Sequence, residues 1–284
     1  MTELEFEFLR SWLKTRSGLA LTPEKRYLVD SRLAAVCRRH KLAGLSELAG
    51  ALKLGRDPAL ENAVVEAMTT NETFFFRDRA PFDLFRDTLL PKMITARASS
   101  RRLRIWCAAA SSGQEPYSIA MLLDEAKARL AGWSVEIVAT DISTEILDRA
   151  KAGLYSQFEV QRGLPINLLL KHFTQEGEQW RISPAIRSMV SFRPLNLIRD
   201  FGSLGTFDLV YCRNVLIYFD QPTKTDVLRR LSNALAPDGF MVLGAAETVI
   251  GLTDALSPHP DHRGLYVPGR IATAASPMRL VASR

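Results

Sequence analysis

The 284-residue chain predicts an α/β protein: a doubly wound, largely parallel sheet behind a small all-α N-terminal domain, with a small insertion in the sheet part. Three observations carry this. Helical periodicity fills the first hundred residues and no strand signal occurs there. After a polar linker at 98–102, five short apolar runs follow at 103–108, 135–140, 189–192, 207–212 and 240–244, with helical segments between most of them. That alternation is the mark of a parallel sheet covered on both faces. Residues 156–188 break the rhythm with Gly163, Pro165, Gly177 and Pro184, which defines the insertion.

Each element has its own signal. Phe6, Leu9, Trp12 and Leu13 recur at helical spacing, and Thr22-Pro23-Glu24 is a helix start with proline at the first helical position. The helix from 23 to 40 carries Val29, Leu33, Val36 and Cys37 as its apolar stripe. Gly44 and a turn at 55–58 punctuate two further helices, the second ending in 62–68. These form the all-α unit, residues 1–70. Residues 71–102 connect it to the sheet domain, 103–284, with helix at 81–97. After the first strand, a helix with Pro116 at its start presents Ile119, Leu122, Leu123, Ala126 and Leu130 on one face. A later helix carries Val227, Leu228, Leu231 and Leu235, and Pro237-Asp238-Gly239 turns it into the last long strand. The tail from Pro268 lacks periodicity, so mobility is expected there.

Composition narrows the function classes. Hydrophobic residues at 47% and charged residues at 24% match ordinary globular chains. No apolar run is long enough to span a bilayer, and residues 1–10 alternate acids with apolar residues, unlike a signal peptide. A cytoplasmic location without membrane insertion is expected. Cys37, Cys107 and Cys212 are too few and too dispersed for a disulfide framework and read as buried thiols. His259 and His262 lie in a Pro-rich segment unlike a metal-binding helix, so no metal is expected. The net charge of +6 fits a nucleic acid, a membrane surface or an acidic protein partner.

Ligands of a doubly wound sheet bind beyond the carboxyl ends of its strands, and polar residues stand at several of those ends. The first strand runs into Ala109-Ala110-Ser111-Ser112-Gly113-Gln114-Glu115, a turn of small residues that admits close backbone approach. Its spacing matches no phosphate-cradling motif; Glu115 either pairs with a ligand ammonium or stabilises the helix start. Asp141 follows the second strand, where a carboxylate accepts from ribose hydroxyls or caps the helix at 143–152. Asn71-Glu72-Thr73-Phe74-Phe75-Phe76-Arg77-Asp78 places three aromatics between polar residues. Their burial makes either a cleft wall or an inter-domain plug. Arg213 and Asn214 follow the fourth strand, and Tyr218 stands one helical turn past Asn214, facing the same ligand or packing in the core.

The segments NETFFFRD, AAASSGQEPYS, ATDIS, RPLNL and CRNVLIYFD together resemble motifs of the chemotaxis receptor methyltransferases, the CheR family. The resemblance spans nearly the whole chain. It implies a class I methyltransferase-like sheet domain in which the insertion is an antiparallel β-subdomain. The implied reaction moves a methyl group from S-adenosyl-L-methionine to receptor glutamates, leaving S-adenosyl-L-homocysteine. Asn71, Thr73 and Arg77 would close over the methionine end of the cofactor, and Glu115 would hold its ammonium. Asp141 would take the ribose, Asn196 and Leu197 the adenine region, and Arg213 and Asn214 the cofactor edge. Arg77 and Tyr218 are implied to orient the substrate glutamate.

A glutamate carboxylate is already a nucleophile at neutral pH, so the absence of His and Lys from these motifs suits the reaction, and the Phe74–Phe76 cluster is expected to help exclude water. The Asn/Asp-Pro-Pro-Tyr/Phe motif of base methyltransferases is missing after the fourth strand, which argues against nucleic acid. A catalytically silent cofactor-binding module is the remaining alternative. Lys25, Arg32 and Arg39 are spaced seven apart and drift only about 20° per step, so with Arg38 they form a basic stripe. The resemblance implies that this stripe docks on the Glu-rich methylation helices of receptors. The turn between Phe173 and Trp180 is short, with one glycine and two acids. Dependence on a receptor C-terminal peptide tether is therefore not expected, and the chain is expected to act as a monomer.

Overall fold

The computed structural model describes residues 1–269; from residue 270 onward the tail lies outside the described residues. Helix α1 (Glu3–Ser17) opens with a capping box, Thr2 accepting from the Glu5 amide while Glu5 accepts from the Thr2 amide. It ends at Gly18, whose φ is 78°. A 3-10 turn at Pro23–Lys25 leads into α2 (Arg26–Arg39), followed by α3 (Leu45–Leu54) and α4 (Pro58–Met68), the last capped by Asp57. The apolar stripes read from spacing are the ones that meet. Phe6, Leu9 and Leu13 pack with Val29, Leu33, Val36, Cys37, Leu48 and Val64 in one core. Each such burial is worth about 1.5–3 kcal/mol.

Gly18 also sets how this unit sits on the rest. A Cβ there would come within 2.8 Å of Ile198 and Phe219, both beyond sheet strands. No side chain fits, and the left-handed φ suits glycine.

The connection is one bent helical stretch: α5 (Ala80–Leu84), a π turn at Phe85–Leu89, and α6 (Leu90–Ala96). Pro91 near the start of α6 cannot donate, and its ring crowds the carbonyl four residues back, which the wider turn relieves. Arg97 then anchors this stretch to the sheet by ion pairs of 2.7 Å with Asp208 and 2.5 Å with Asp238.

The sheet domain alternates as expected. It runs β1 (Arg102–Ala108), α7 (Gln114–Glu125), β2 (Ser134–Asp141) and α8 (Thr144–Ala152), and then the insertion. The insertion holds β3 (Leu154–Ser156), α9 (Gln157–Gln161), α10 (Ile166–His172), β4 (Phe173–Glu176), β5 (Gln179–Ile182) and α11 (Pro184–Arg187). The chain returns through β6 (Val190–Pro194), β7 (Phe207–Cys212), α12 (Gln221–Asn233), β8 (Leu235–Leu243), β9 (Leu256–Pro258) and β10 (Leu265–Pro268). The main sheet has the order β6-β2-β1-β7-β8-β10-β9. It is parallel from β6 to β8, with β10 and β9 added antiparallel. The insertion forms a separate antiparallel sheet, β3-β5-β4. This is the α/β class I methyltransferase-like fold with an all-α N-terminal part.

Alternation along β1 builds two cores. Leu103, Ile105 and Cys107 face one layer, while Trp106 and Ala108 face the other. Burial raises the pKa of both Cys107 and Cys212, which fits inert thiols, and among the described residues no cluster of metal ligands occurs.

Two local expectations are corrected, and two strands were missed. Helix α7 stops at Glu125, and Ala126 and Leu130 sit in the turns that follow. These turns let the chain reverse into β2. Pro237-Asp238-Gly239 lies inside β8 as a register shift against β7 rather than as a turn before it. The antiparallel strands β9 and β10 went unread, because at three and four residues they are too short for a period to register.

Candidate active site

The carboxyl ends of β1, β2, β6 and β7 open into a cleft of about 1020 Å³, mouth included, roofed by Ser17, Leu19, Val65 and Met68 of the helical unit. Asn71, Thr73, Arg77, Glu115, Asp141, Asn196, Leu197, Arg213, Asn214 and Tyr218 all line it. Residues up to 147 positions apart in sequence thus meet because four strand ends and one connection converge.

The first wall is the turn after β1. Ala109 and Ser111 have φ of 63° and 50°, left-handed values in residues other than glycine. Such strain persists only where surroundings hold it, and here Asp141 does so. Its Oδ2 accepts from the Ser111 amide at 2.8 Å and its Oδ1 from the Ser143 amide at 3.0 Å. Each oxygen retains acceptor capacity beyond its one amide. Burial raises the Asp141 pKa against the pull of these amides. The alternative role of Asp141 as helix cap is settled by Ser143, whose hydroxyl accepts from the Ile146 amide.

Glu115 stands in the first turn of α7 with an ion pair of 2.7 Å to Arg213. Burial is the largest influence on its pKa and raises it, with Arg213 opposing. Arg213 also pairs with Asp78 at 2.7 Å and donates to the Arg77 carbonyl at 3.0 Å. Its side chain is 1% exposed, so it acts as a buried brace joining β7, α7 and the 71–78 segment.

That segment crosses the cleft. The Ser111 hydroxyl donates to the Asn71 carbonyl at 2.9 Å, and Arg77 donates to the Glu72 carbonyl at 2.7 Å. The three phenylalanines do not face the cleft. Phe75 packs edge-on against Tyr155 and Phe173 of the insertion, Phe76 against Phe82, and half-buried Phe74 lies between Arg77 and Arg162. Their expected share in excluding water is therefore replaced by an anchoring role.

The opposite wall is the turn after β7. Asn214 has φ 60°, and a 3-10 turn at Leu216–Tyr218 follows. Asn214 and Tyr218 thus share the cleft through a bent turn, not across one turn of helix. Glu247, which the sequence reading missed, braces it. Its carboxylate accepts from the amides of Asn214 at 2.8 Å, Val215 at 3.0 Å, Leu216 at 2.8 Å and Gly244 at 2.8 Å. Its one sequence signal is an acid just past the end of β8, on the ligand-binding edge of the sheet.

Two further contacts went unread. Glu66 of α4 accepts from the Thr144 amide at 2.7 Å and the Ser143 hydroxyl at 2.5 Å, joining the helical unit to the start of α8. The Asn196 side chain donates to the Arg16 carbonyl at 2.6 Å and accepts from the Ile198 amide. Away from the cleft, Lys25, Arg38 and Arg39 are exposed. Arg32 is not free in the same way: it donates to the Met68 and Thr69 carbonyls at 2.9 and 3.0 Å, finishing the end of α4.

Both parts of the chain are similar to known proteins. The model for the CheR methyltransferase SAM binding domain matches residues 71–264, and that for the CheR all-alpha domain matches 4–69. The chain is 44% identical over 254 residues to chemotaxis protein methyltransferase 1 of Pseudomonas aeruginosa, covering 88% of this chain and 92% of that one. It is 42% identical to methyltransferase Cher2 of Pseudomonas putida, again over 88% and 92% of the two chains. A Vibrio parahaemolyticus chemotaxis protein methyltransferase is 41% identical, over 89% of this chain and 92% of that one. Both parts of the chain are thus matched, in order and nearly end to end, and the protein belongs to the CheR methyltransferase family.

Proposed function

We propose that this enzyme transfers the methyl group of S-adenosylmethionine to glutamate carboxylates of chemotaxis receptors, leaving methyl esters and S-adenosylhomocysteine. The observation that carries the reading is the convergence in one cleft of every cofactor-type and substrate-type residue of the family motifs.

The cleft suits the cofactor. Asp141 has lone pairs free for two ribose hydroxyls, and the left-handed turn at Ala109 and Ser111 bares backbone where a nucleoside must approach closely. Glu115 keeps one carboxylate oxygen unengaged by Arg213 and so offers a buried acceptor to an ammonium. Asn71 and Thr73 close the methionine end, and Asn196 and Leu197 border the adenine side. The bound cofactor supplies an electrophilic methyl on a sulfonium.

The protein's own work is then placement. Arg77, tethered through the Glu72 carbonyl and the Phe74 ring, holds the incoming carboxylate. Tyr218 donates its hydroxyl to the same group and fixes its direction. No base is required, because the glutamate arrives ionised. Neutral products form from an anion and a cation, so removal from water favours the reaction, and the apolar roof of Leu19, Val65 and Met68 supplies that. Arg77 is half-buried rather than fully enclosed, which limits ground-state stabilisation of the anion.

Substrate helices dock on the exposed Lys25, Arg38 and Arg39 of α2 in this reading, with Arg32 holding the end of α4 beneath them. The hairpin between β4 and β5 turns through only Gly177 and Glu178, with no longer Gly-rich loop. That short turn supports engagement without a C-terminal receptor peptide. Among the described residues no helix is long and apolar enough to cross a membrane, in keeping with action in the cytoplasm beside the receptors.

The test is transfer of a tritiated methyl group from the cofactor to receptor cytoplasmic fragments. Counts released as methanol by mild base are expected. Base-stable label, or none, would refute the reading.

A further inference from the structure

Arg162 follows α9 in the insertion and reaches the rim of the cleft. It forms an ion pair of 2.8 Å with Glu72, a cleft-lining residue. Its guanidinium carbon lies 4.3 Å from the centre of the Phe74 ring, and that of Arg77 lies 5.7 Å from the same ring. One aromatic ring therefore carries two guanidinium groups, with the Glu72 side chain beside both.

The approach is built into the backbone. Gly163 has φ 86°, and a Cβ there would fall 2.1 Å from the Phe75 carbonyl oxygen. The insertion is thereby locked against the 71–78 segment at the residue after Arg162. Phe75 completes the lock by packing on Tyr155 and Phe173.

The Glu72 pair itself is exposed, at 41% for Arg162 and 58% for Glu72. An ion pair so exposed contributes little stability. Arg162 holds the Glu72 carboxyl below its usual pKa, so Glu72 stays charged at neutral pH. An internal carboxylate thus occupies a guanidinium one ring away from the arginine that takes the reacting carboxylate.

We infer that Arg162 is a second substrate-recognising arginine, supplied by the insertion, which exchanges Glu72 for a neighbouring carboxylate of an acidic substrate helix. The inference rests on the glutamate-methylating reading above. Exchange of one exposed carboxylate for another costs little, so Arg162 selects for acidic sequence around the target without trapping it. Glu72 acts as the competing internal anion and keeps isolated carboxylates from occupying the rim.

Steady-state methylation of receptor cytoplasmic fragments tests this, with calorimetry of S-adenosylhomocysteine binding alongside. Arg162→Ala is expected to raise the substrate KM about tenfold, with kcat and S-adenosylhomocysteine affinity unchanged, and Arg162→Lys to restore part of it. Glu72→Gln is expected to move KM the opposite way, downward, because it frees Arg162. A KM that rises in both Arg162→Ala and Glu72→Gln would reduce the pair to a structural brace and overturn the inference. So would an unchanged KM in Arg162→Ala while the wild type still forms base-labile esters. Failure of the wild type to form esters would instead sink the underlying reading and the inference with it.

Discussion

Two turns face each other across the cleft, one after β1 and one after β7, and they solve the same problem differently. Each contains residues other than glycine in left-handed conformations, Ala109 and Ser111 in the first and Asn214 in the second. Each is held by a buried carboxylate. Asp141 accepts two amides, 2.8 and 3.0 Å away, and lines the cleft, so the carboxylate that shapes the first turn is also the one proposed to meet the ligand. Glu247 does not line the cleft and spends its oxygens on four amides. Under the proposed function, holding and binding are merged in the first turn and separated in the second. The difference follows from what each turn carries. The first offers backbone and small side chains, so its brace is within reach of the ligand. The second offers the side chains of Asn214 and Tyr218, and its brace sits behind them.

This comparison is open to attack by substitution. The largest effect is expected from Glu247→Ala, which strands four amides with no acceptor. Each buried, unsatisfied donor costs about 1–3 kcal/mol, so urea unfolding should show a loss of several kcal/mol. A loss below about 1 kcal/mol would show that water or a relaxed turn replaces Glu247. Asp141→Ala comes next. It should cut S-adenosylhomocysteine affinity by about 1.5–3 kcal/mol, the worth of charge-assisted hydrogen bonds, while destabilising the protein less than Glu247→Ala does. Calorimetry showing unchanged affinity in a folded mutant would remove Asp141 from the binding role and make the two turns alike.

Tyr218→Phe sharpens the second turn. Because Glu247 holds the backbone, loss of the hydroxyl should leave product affinity intact and lower turnover by about 10- to 100-fold, the range of one hydrogen bond to a charged group. Equal losses in affinity and turnover would mean that Tyr218 packs instead of orienting.

The smallest effect concerns pH and the first turn. Burial raises the pKa of Glu115 and of Asp141 in the free protein, and a bound ammonium favours ionised Glu115. Cofactor affinity should therefore rise with pH as these carboxyls ionise and fall on acidification, earlier than ordinary carboxylates would require. Binding at mildly acidic pH should release protons, seen as a dependence of the calorimetric enthalpy on buffer ionisation. Proton uptake would contradict the sign. Arg38→Glu with Arg39→Glu offers a control away from both turns. It should weaken receptor methylation and its salt dependence without altering cofactor affinity.

The residues themselves determined the layering. Helical spacing of Phe6, Leu9 and Leu13, and of Val29, Leu33 and Val36, picked out the side chains that make the helical core. The apolar runs at 103–108 and 207–212 picked out β1 and β7. Such patterns are legible because burial is periodic in helices and strands, and period is a local property. The polar residues after strand ends were legible for the same reason, since topology alone places them at one edge.

Partnerships were decided only in three dimensions. Nothing in sequence joins Glu247 to Asn214, Glu66 to Thr144, or Arg213 to both Glu115 and Asp78. Nor does it turn Arg32 inward to the end of α4 while leaving Arg38 and Arg39 exposed. Spacing put Arg32 on the same stripe, but a long side chain goes where unsatisfied acceptors are, and the carbonyls of Met68 and Thr69 supplied them. The aromatic triplet shows the limit most plainly. Composition required its burial, yet only packing against Tyr155, Phe173 and Phe82 decided that it faces away from the cleft. The hydrophobic effect fixes how much apolar surface is hidden, and it carries no direction; direction comes from the particular neighbours that the fold brings near.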